Sequence, residues 1–252
     1  MEKDSKIYVA GHRGLVGSAI TKRLQDLGYK NLILKSYQEL DLLDAKATAD
    51  FFVREKPEYV FLAAAKVGGI MAIKTYPGEF IYKNLTIQTN VIHNAYLNGA
   101  KKLLFLGTSC VYPKLSPQPI KEEYLFTGPL EDAVKAYGMA KIAGLVMCQS
   151  YNQQYGTNFI SAMPSNIYGH NDNFDPENST VLDSLLNKFH QAKVENKNEV
   201  VLWGTGNARR EFMYVDDLAD ACIFLMNNYN NPEIINIGTG TDIAIKELAE
   251  LI

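Results

Sequence analysis

Cysteine and tryptophan are scarce in this chain, with three Cys and one Trp in 252 residues. Cys110, Cys148 and Cys222 are odd in number and far apart, which argues against a disulfide framework. The four histidines do not stand with Cys or acidic residues at metal-ligand spacing, so no metal site is expected. No apolar run reaches the roughly 18 residues of a membrane-spanning helix. The opening run, "MEKDSKIYVAG", leads directly into a strand and has no secretory-leader layout. The charges nearly balance, at 25 Lys and Arg against 28 Asp and Glu. A net charge of −3 gives no electrostatic footprint for nucleic acid or an anionic membrane. Repeats, low-complexity tracts and Pro/Gly/Ser linkers are missing too. The expectation is a globular, cytoplasmic protein long enough to bury a sizeable core.

What the chain does have is alternation. Apolar runs at 6–10, 31–35, 58–65, 101–107 and 158–163 read as strands. Amphipathic stretches at 14–27, 45–55, 77–98 and 133–155 read as helices, several ended by glycine. Strand–helix alternation implies βαβ units with right-handed crossovers. The expected fold is α/β, a Rossmann-type doubly wound parallel sheet, with ligands at the carboxyl ends of the strands. Beyond residue 166 the pattern loosens. A polar loop at 168–180, a helix at 181–193, a strand at 199–204 and an extended piece entering a helix at 212–228 are expected. Residues 1–166 then form a dinucleotide-binding domain, and 167–252 a smaller substrate-binding lobe with interleaved Rossmann elements.

Three motifs carry chemistry. The turn "GHRGLVG" places Gly11, Gly14 and Gly17, with Leu15 and Val16 between them, after a strand and before a helix. This is the context in which glycines let a pyrophosphate approach the backbone and a helix N-terminus face its charge. NAD sites usually carry an acid just after the second strand. Here "LILKSYQEL" offers Lys35, and Arg13 adds a second cation within the turn, so NADP (NADPH) is the expected cofactor. The bland alternative leaves Lys35 as a solvated surface lysine. The third motif is Tyr137 and Lys141 in "AYGMAK", preceded by Ser109 in "LGTSCVYP". Residues four apart on a helix share a face. An ammonium beside a phenol is expected to lower the phenol's pKa, and a nearby hydroxyl can hold a carbonyl oxygen.

With these motifs and the runs "FLAAAKVGGI", "DNFDPENS", "LWGTG" and "REFMYVDDLADA", the chain resembles the GDP-L-fucose synthase family of extended short-chain dehydrogenase/reductases along essentially its whole length. The resemblance implies NADPH-dependent reduction of a GDP-linked 4-keto-6-deoxy sugar. Tyr137 would donate a proton to the 4-keto oxygen, Lys141 would also bind the nicotinamide ribose, and Ser109 would polarise the ketone. Leu106, Gly107, Thr108 and Ser109 would line the cofactor, as would Pro164, Ser165, Asn166 and Ile167. Lys188, Trp203 and Arg210 match positions that contact the GDP-sugar, and Asn166 and Thr180 would face the sugar. A core-filling role is the alternative for Trp203.

One departure is large. The family's C3/C5 epimerisation uses a Cys, here Cys110, and a His, whose position is occupied by Thr180. A threonine hydroxyl does not titrate near neutral pH. His170 lies ten residues earlier, at a different place in the motif. The expected function is therefore C4 reduction of a hexose or heptose substrate with little or no epimerisation. A bifunctional GDP-L-fucose synthase and a non-catalytic NADP-binding sensor are the alternatives. The resemblance also implies a homodimer formed through the 77–98 and 133–155 helices.

Overall fold

The strands of the main sheet are short apolar runs that bury both faces. In the computed structural model, which describes residues 1–175 and 179–252, the chain runs β1 (Ile7–Ala10), α1 (Leu15–Asp26), β2 (Leu32–Ile33), α2 (Ala45–Glu55), β3 (Tyr59–Leu62), α3 (Ile70–Thr75), α4 (Pro77–Leu97), β4 (Lys102–Leu106), α5 (Lys135–Tyr155), β5 (Phe159–Pro164) and β6 (Asn166–Tyr168). It continues through α6 (Val181–Val194), β7 (Arg209–Arg210), β8 (Phe212–Tyr214), α7 (Val215–Asn228), β9 (Ile235–Ile237), β10 (Ile243–Ala244) and α8 (Ile245–Leu251). Six strands form one parallel sheet in the order β2-β1-β3-β4-β5-β9. The order reverses between β1 and β3, which opens a crevice at their carboxyl ends.

Alternation along each strand divides the core. Tyr8, Ala10, Val60, Leu62, Leu103 and Phe105 point to one face, where α2, α4 and α5 cover them. Ile7, Val9, Phe61, Leu104 and Leu106 point to the other, under α1 and α7. On the first face Tyr8 meets Phe51 at 4.7 Å, and Phe51 meets Phe52 edge-on at 5.4 Å. Helix ends follow local chemistry. The Asp44 carboxylate accepts the Ala47 N–H at 2.9 Å to start α2, and Gly156 closes α5 with φ 67°.

The later chain is joined to the main sheet through β9. β6 and β8 pair as a separate parallel ribbon, and β7 and β10 as an antiparallel one. The strand expected at 199–204 is absent. That run finds no pairing partner, and Gly204 and Gly206, both at φ 72°, turn the chain instead. The second strand shrinks to two residues, and α5 begins after a 3-10 turn at Asp132–Val134. The "DNFDPENS" motif lies partly outside the described residues, at 176–178. Among the described residues no helix is long and apolar enough to cross a membrane.

Lys102 is buried at the base of β4, and its ammonium donates to the carbonyls of Leu225, Met226 and Tyr229 and to Asn230 Oδ1. It thereby ties the C-terminal end of α7 to the sheet. Lys102→Met should leave these acceptors unpaired and lower stability by roughly 2–3 kcal/mol, to be read in urea unfolding. A change under about 0.5 kcal/mol would show that water takes the lysine's place.

Candidate active site

The glycine turn leaves β1 and enters α1 with no room for side chains. Gly11 has φ 84°, and a Cβ there would stand 2.7 Å from the Ala64 nitrogen. A Cβ on Gly17 would overlap the Gly11 carbonyl. The Gly14 N–H donates to that carbonyl at 3.0 Å, and Gly14 caps α1 in extended conformation. Such a turn has the shape that can cradle a pyrophosphate, with Leu15 and Val16 opening the helix behind it. His12 Nδ1 and Ser165 Oγ, buried at the turn and at the end of β5, have no hydrogen-bond partner among the described residues. A dinucleotide lying along the strand ends fits both the cradle and these orphaned groups.

At the end of β2, Lys35 faces Glu39 at 3.8 Å. Glu39 accepts from the Ser36 N–H at 2.8 Å and the Ser36 hydroxyl at 2.7 Å, and these bonds, more than the charges of Lys35 and Arg13, hold its carboxyl below the usual range. The carboxylate that sequence alone leaves without a role thus shapes the turn carrying Lys35. His12 is depressed mainly by burial, then by Arg13, so it adds little positive charge at neutral pH.

β4 ends at Leu106, and the chain then bends through a 3-10 turn at Ser109–Val111. Tyr137 and Lys141 both lie on the buried face of α5, as the spacing predicts. The Lys141 ammonium donates to the Leu106 carbonyl at 2.8 Å and sits 4.8 Å above the Phe105 ring. Burial brings its pKa down to about 8. The expected lowering of the Tyr137 pKa is corrected. Burial raises the phenol, with Cys110 adding to the effect, and Lys141's charge is directed to Leu106 instead. Tyr137 is thus a protonated phenol at neutral pH, edge-on to Phe80 at 6.1 Å. The hydroxyl that faces it and opposes the rise belongs to Thr108, which also accepts the Cys110 N–H at 3.3 Å. Sequence reasoning placed Thr108 only on the cofactor, because adjacent hydroxyls at a strand end cannot be told apart without the backbone bend.

Ser109 lines a cleft of about 810 Å³ with Tyr112, Pro164, Ser165, Glu211, Asn236 and Thr241 among its walls. Gly107 is packed so closely on Met163 that a Cβ would overlap its side chain. Asn166 and Ile167 follow in β6, and Asn166 Nδ2 donates to the Glu211 carbonyl at 2.9 Å. Cys110 is half-buried, and its thiol is pushed up by burial; Thr108's hydrogen bond and then Arg210's charge oppose this. That electrostatic contact brings Arg210 to the site. Lys188 lies 4.7 Å above the Trp203 ring, and Trp203 is 69% exposed. A core-filling role for Trp203 is thereby excluded.

Thr180 caps α6, and its hydroxyl donates to Asp183 at 2.7 Å. Asp183 is buried and close enough to Asp172 for its charge to act on that carboxyl, whose Oδ2 is buried without a hydrogen-bond partner among the described residues. Burial, together with Asp183's charge, raises the Asp172 pKa to about 7 against one backbone N–H from Asn173. Sequence reading missed this pair, whose members are eleven positions apart across a loop. His170 packs against Tyr214 at 6.4 Å.

A model of the NAD dependent epimerase/dehydratase family matches residues 7–238. The chain belongs to that family. A putative GDP-L-fucose synthase 2 of Arabidopsis thaliana is 60% identical over 252 residues, covering 100% of this chain and 77% of its own. The GDP-L-fucose synthase of Escherichia coli K12 is 49% identical over 256 residues, covering 98% and 80%. A solved GDP-mannoheptose C4 reductase of Campylobacter jejuni, with NADP bound, superposes at TM-score 0.93 with 48% identity, covering 100% and 83%. Within the family the chain falls among the GDP-L-fucose synthases and their reductase relatives.

For this family member a pH profile follows from Lys141. Its ammonium is the form that holds the Leu106 carbonyl where the chain enters the Ser109 turn, and that form is depleted as pH rises through about 8. Turnover should therefore fall above pH about 8, and Lys141→Arg should move the limb upward in whatever activity it retains. A profile flat from pH 7 to 10 would show that the ammonium is not needed.

Proposed function

We propose that the chain is an NADPH-dependent C4-ketoreductase of a GDP-linked 4-keto-6-deoxy sugar, hexose or heptose, that does not invert C3 or C5. That it is an NADP-dependent oxidoreductase follows from its family and relatives. The observation that carries the finer reading is that the threonine at the family's histidine position is already hydrogen-bonded to Asp183, while Tyr137 is a buried, protonated phenol facing Thr108.

NADPH, when bound, supplies the hydride that adds to C4. Gly11, Gly14 and Gly17 hold its pyrophosphate, Arg13 and Lys35 its 2′-phosphate, and Leu106–Ser109 and Pro164–Ile167 flank the remainder. Tyr137 holds at Oη the proton that the C4 oxygen takes. Thr108 orients that phenol, and Ser109, on the cleft wall, polarises the ketone. Lys141 keeps a cation on the same helix face and on the Leu106 carbonyl. Lys188 and Arg210 meet the diphosphate, while Trp203 stacks on a flat surface such as the guanine. Asn166 and Thr180 face the sugar. Cys110, with its thiol raised, stays protonated and serves as packing.

The division into a cofactor domain at 1–166 and a substrate lobe at 167–252 belongs to this reading, as does a homodimer through α4 and α5. The bifunctional alternative is favoured by one observation, the Asp172 carboxyl that holds a proton near neutral pH beside Asp183. NMR of the product formed in heavy water separates the two, since inversion must exchange the hydrogens at C3 and C5 and the configuration at both carbons is read in the same spectrum.

A further inference from the structure

We infer that Glu211 is a positioning residue that fixes Arg210 and Asn166, its neighbours beside the cleft, by clamping the 238–242 loop. This rests on the reading of Arg210 and Asn166 as GDP-sugar contacts. The Glu211 carboxylate accepts from the Thr239 and Gly240 backbone N–H groups, the latter at 2.8 Å, and from the Thr239 hydroxyl at 3.1 Å. Its own carbonyl accepts from the Asn166 N–H at 3.2 Å and from Asn166 Nδ2 at 2.9 Å. One residue thus ties the start of β6 to the loop that follows β9.

The clamp is needed because the local strand pairing is meagre. β7 and β10 meet through only two residue pairs, Arg210 with Ile243 and Arg209 with Ala244. An isolated two-stranded ribbon is marginal in water even when longer. Two side-chain anchors hold its ends. Arg209 bonds the Asp242 carboxylate at 2.8 Å and its carbonyl at 3.0 Å, and Glu211 holds residues 239 and 240 just before β10. Arg210 lies between the anchors, close enough to Cys110 to pull its thiol pKa down. Gly238 leaves the carboxylate its space, since a Cβ there would overlap Glu211 Oε1. Backbone N–H groups converging on one oxygen are a strong carboxylate receptor. Glu211, Gly238, Gly240, Thr241 and Asp242 all line the cleft with Ser109, Pro164 and Ser165, so a shift in this loop reshapes the cleft, whose walls do not include the glycine turn.

The test combines steady-state kinetics with amide exchange in Glu211→Ala, Glu211→Gln and Gly238→Ala. Glu211→Ala should raise KM for a GDP-4-keto-6-deoxy sugar about tenfold and change kcat less than about threefold, the pattern of lost substrate binding. Kd for NADPH should change far less than KM, since the glycine turn and Lys35 lie outside the clamp. Glu211→Gln keeps an acceptor oxygen and should recover most of the KM. The Thr239 and Gly240 amides should exchange faster in Glu211→Ala and return toward wild type in Glu211→Gln. Gly238→Ala displaces the carboxylate with Glu211 still present, and it should reproduce the KM effect if Glu211→Ala does not fold. An unchanged KM alongside faster exchange would overturn the positioning role, and unchanged exchange would overturn the clamp itself. Absence of turnover in the wild type would sink the proposed substrate, while amide exchange would still decide the clamp.

Discussion

Tyr137→Phe is expected to reduce ketone turnover by about 10²- to 10⁴-fold, the range a positioned general acid supplies. Binding of NADPH should stay at wild-type strength. The substitution removes one oxygen and keeps the ring against Phe80, Ile73 and Ala72, so the packing of α5 survives. What disappears is the proton. The phenol is the buried, protonated group facing Thr108, and burial raises it so that it remains protonated across the neutral range. Neither neighbour replaces it. Thr108 and Ser109 are hydroxyls that do not titrate near neutrality. Kinetics with the GDP-4-keto-6-deoxy sugar provide the measurement. A variant keeping more than about a tenth of wild-type turnover would place the proton donor elsewhere.

Preference for NADPH over NADH is the second large effect. Arg13 in the glycine turn and Lys35 after β2 offer cations to a 2′-phosphate, and Glu39 draws near Lys35 only at 3.8 Å while its short bonds go to Ser36. A charge-assisted contact contributes roughly 1.5–3 kcal/mol, or about 10- to 150-fold in affinity. The ratio of Kd values for the two cofactors, taken by titration, should therefore exceed about tenfold and shrink in Arg13→Ala. Equal affinities in the wild type would remove these residues from the cofactor site.

The sheet was legible because its strands are near-continuous apolar runs, and runs such as "KLLFL" cannot be accommodated except between two layers of helices. The glycine turn was legible for a related reason, since its spacing is set by hard contacts such as Gly11 against Ala64. Tyr137 and Lys141 follow from helical periodicity alone. What failed to show depends on chain bends and distant partners. The run 199–204 has the composition of a strand, but it pairs with no strand among the described residues and turns at Gly204. Thr108 rather than Ser109 meets Tyr137 because the 3-10 turn rotates the two hydroxyls apart. The sign of the Tyr137 shift depends on burial, which a motif does not encode. Asp172 meeting Asp183, and Glu211 meeting Thr239, are contacts between segments that sequence spacing cannot link.

The central claim is reduction at C4 without inversion at C3 and C5. Inversion needs a base on one face of the sugar and an acid on the other. In the proposed reading neither role is filled at a useful rate, because Cys110 is a raised thiol and Thr180 a hydroxyl already hydrogen-bonded to Asp183. The measurement is NMR of the product formed from GDP-4-keto-6-deoxymannose and NADPH in heavy water. The expected product is a 4-hydroxy sugar with the substrate's configuration at C3 and C5 and little deuterium at either carbon. Stoichiometric deuterium at both C3 and C5 would contradict the account and establish the bifunctional synthase.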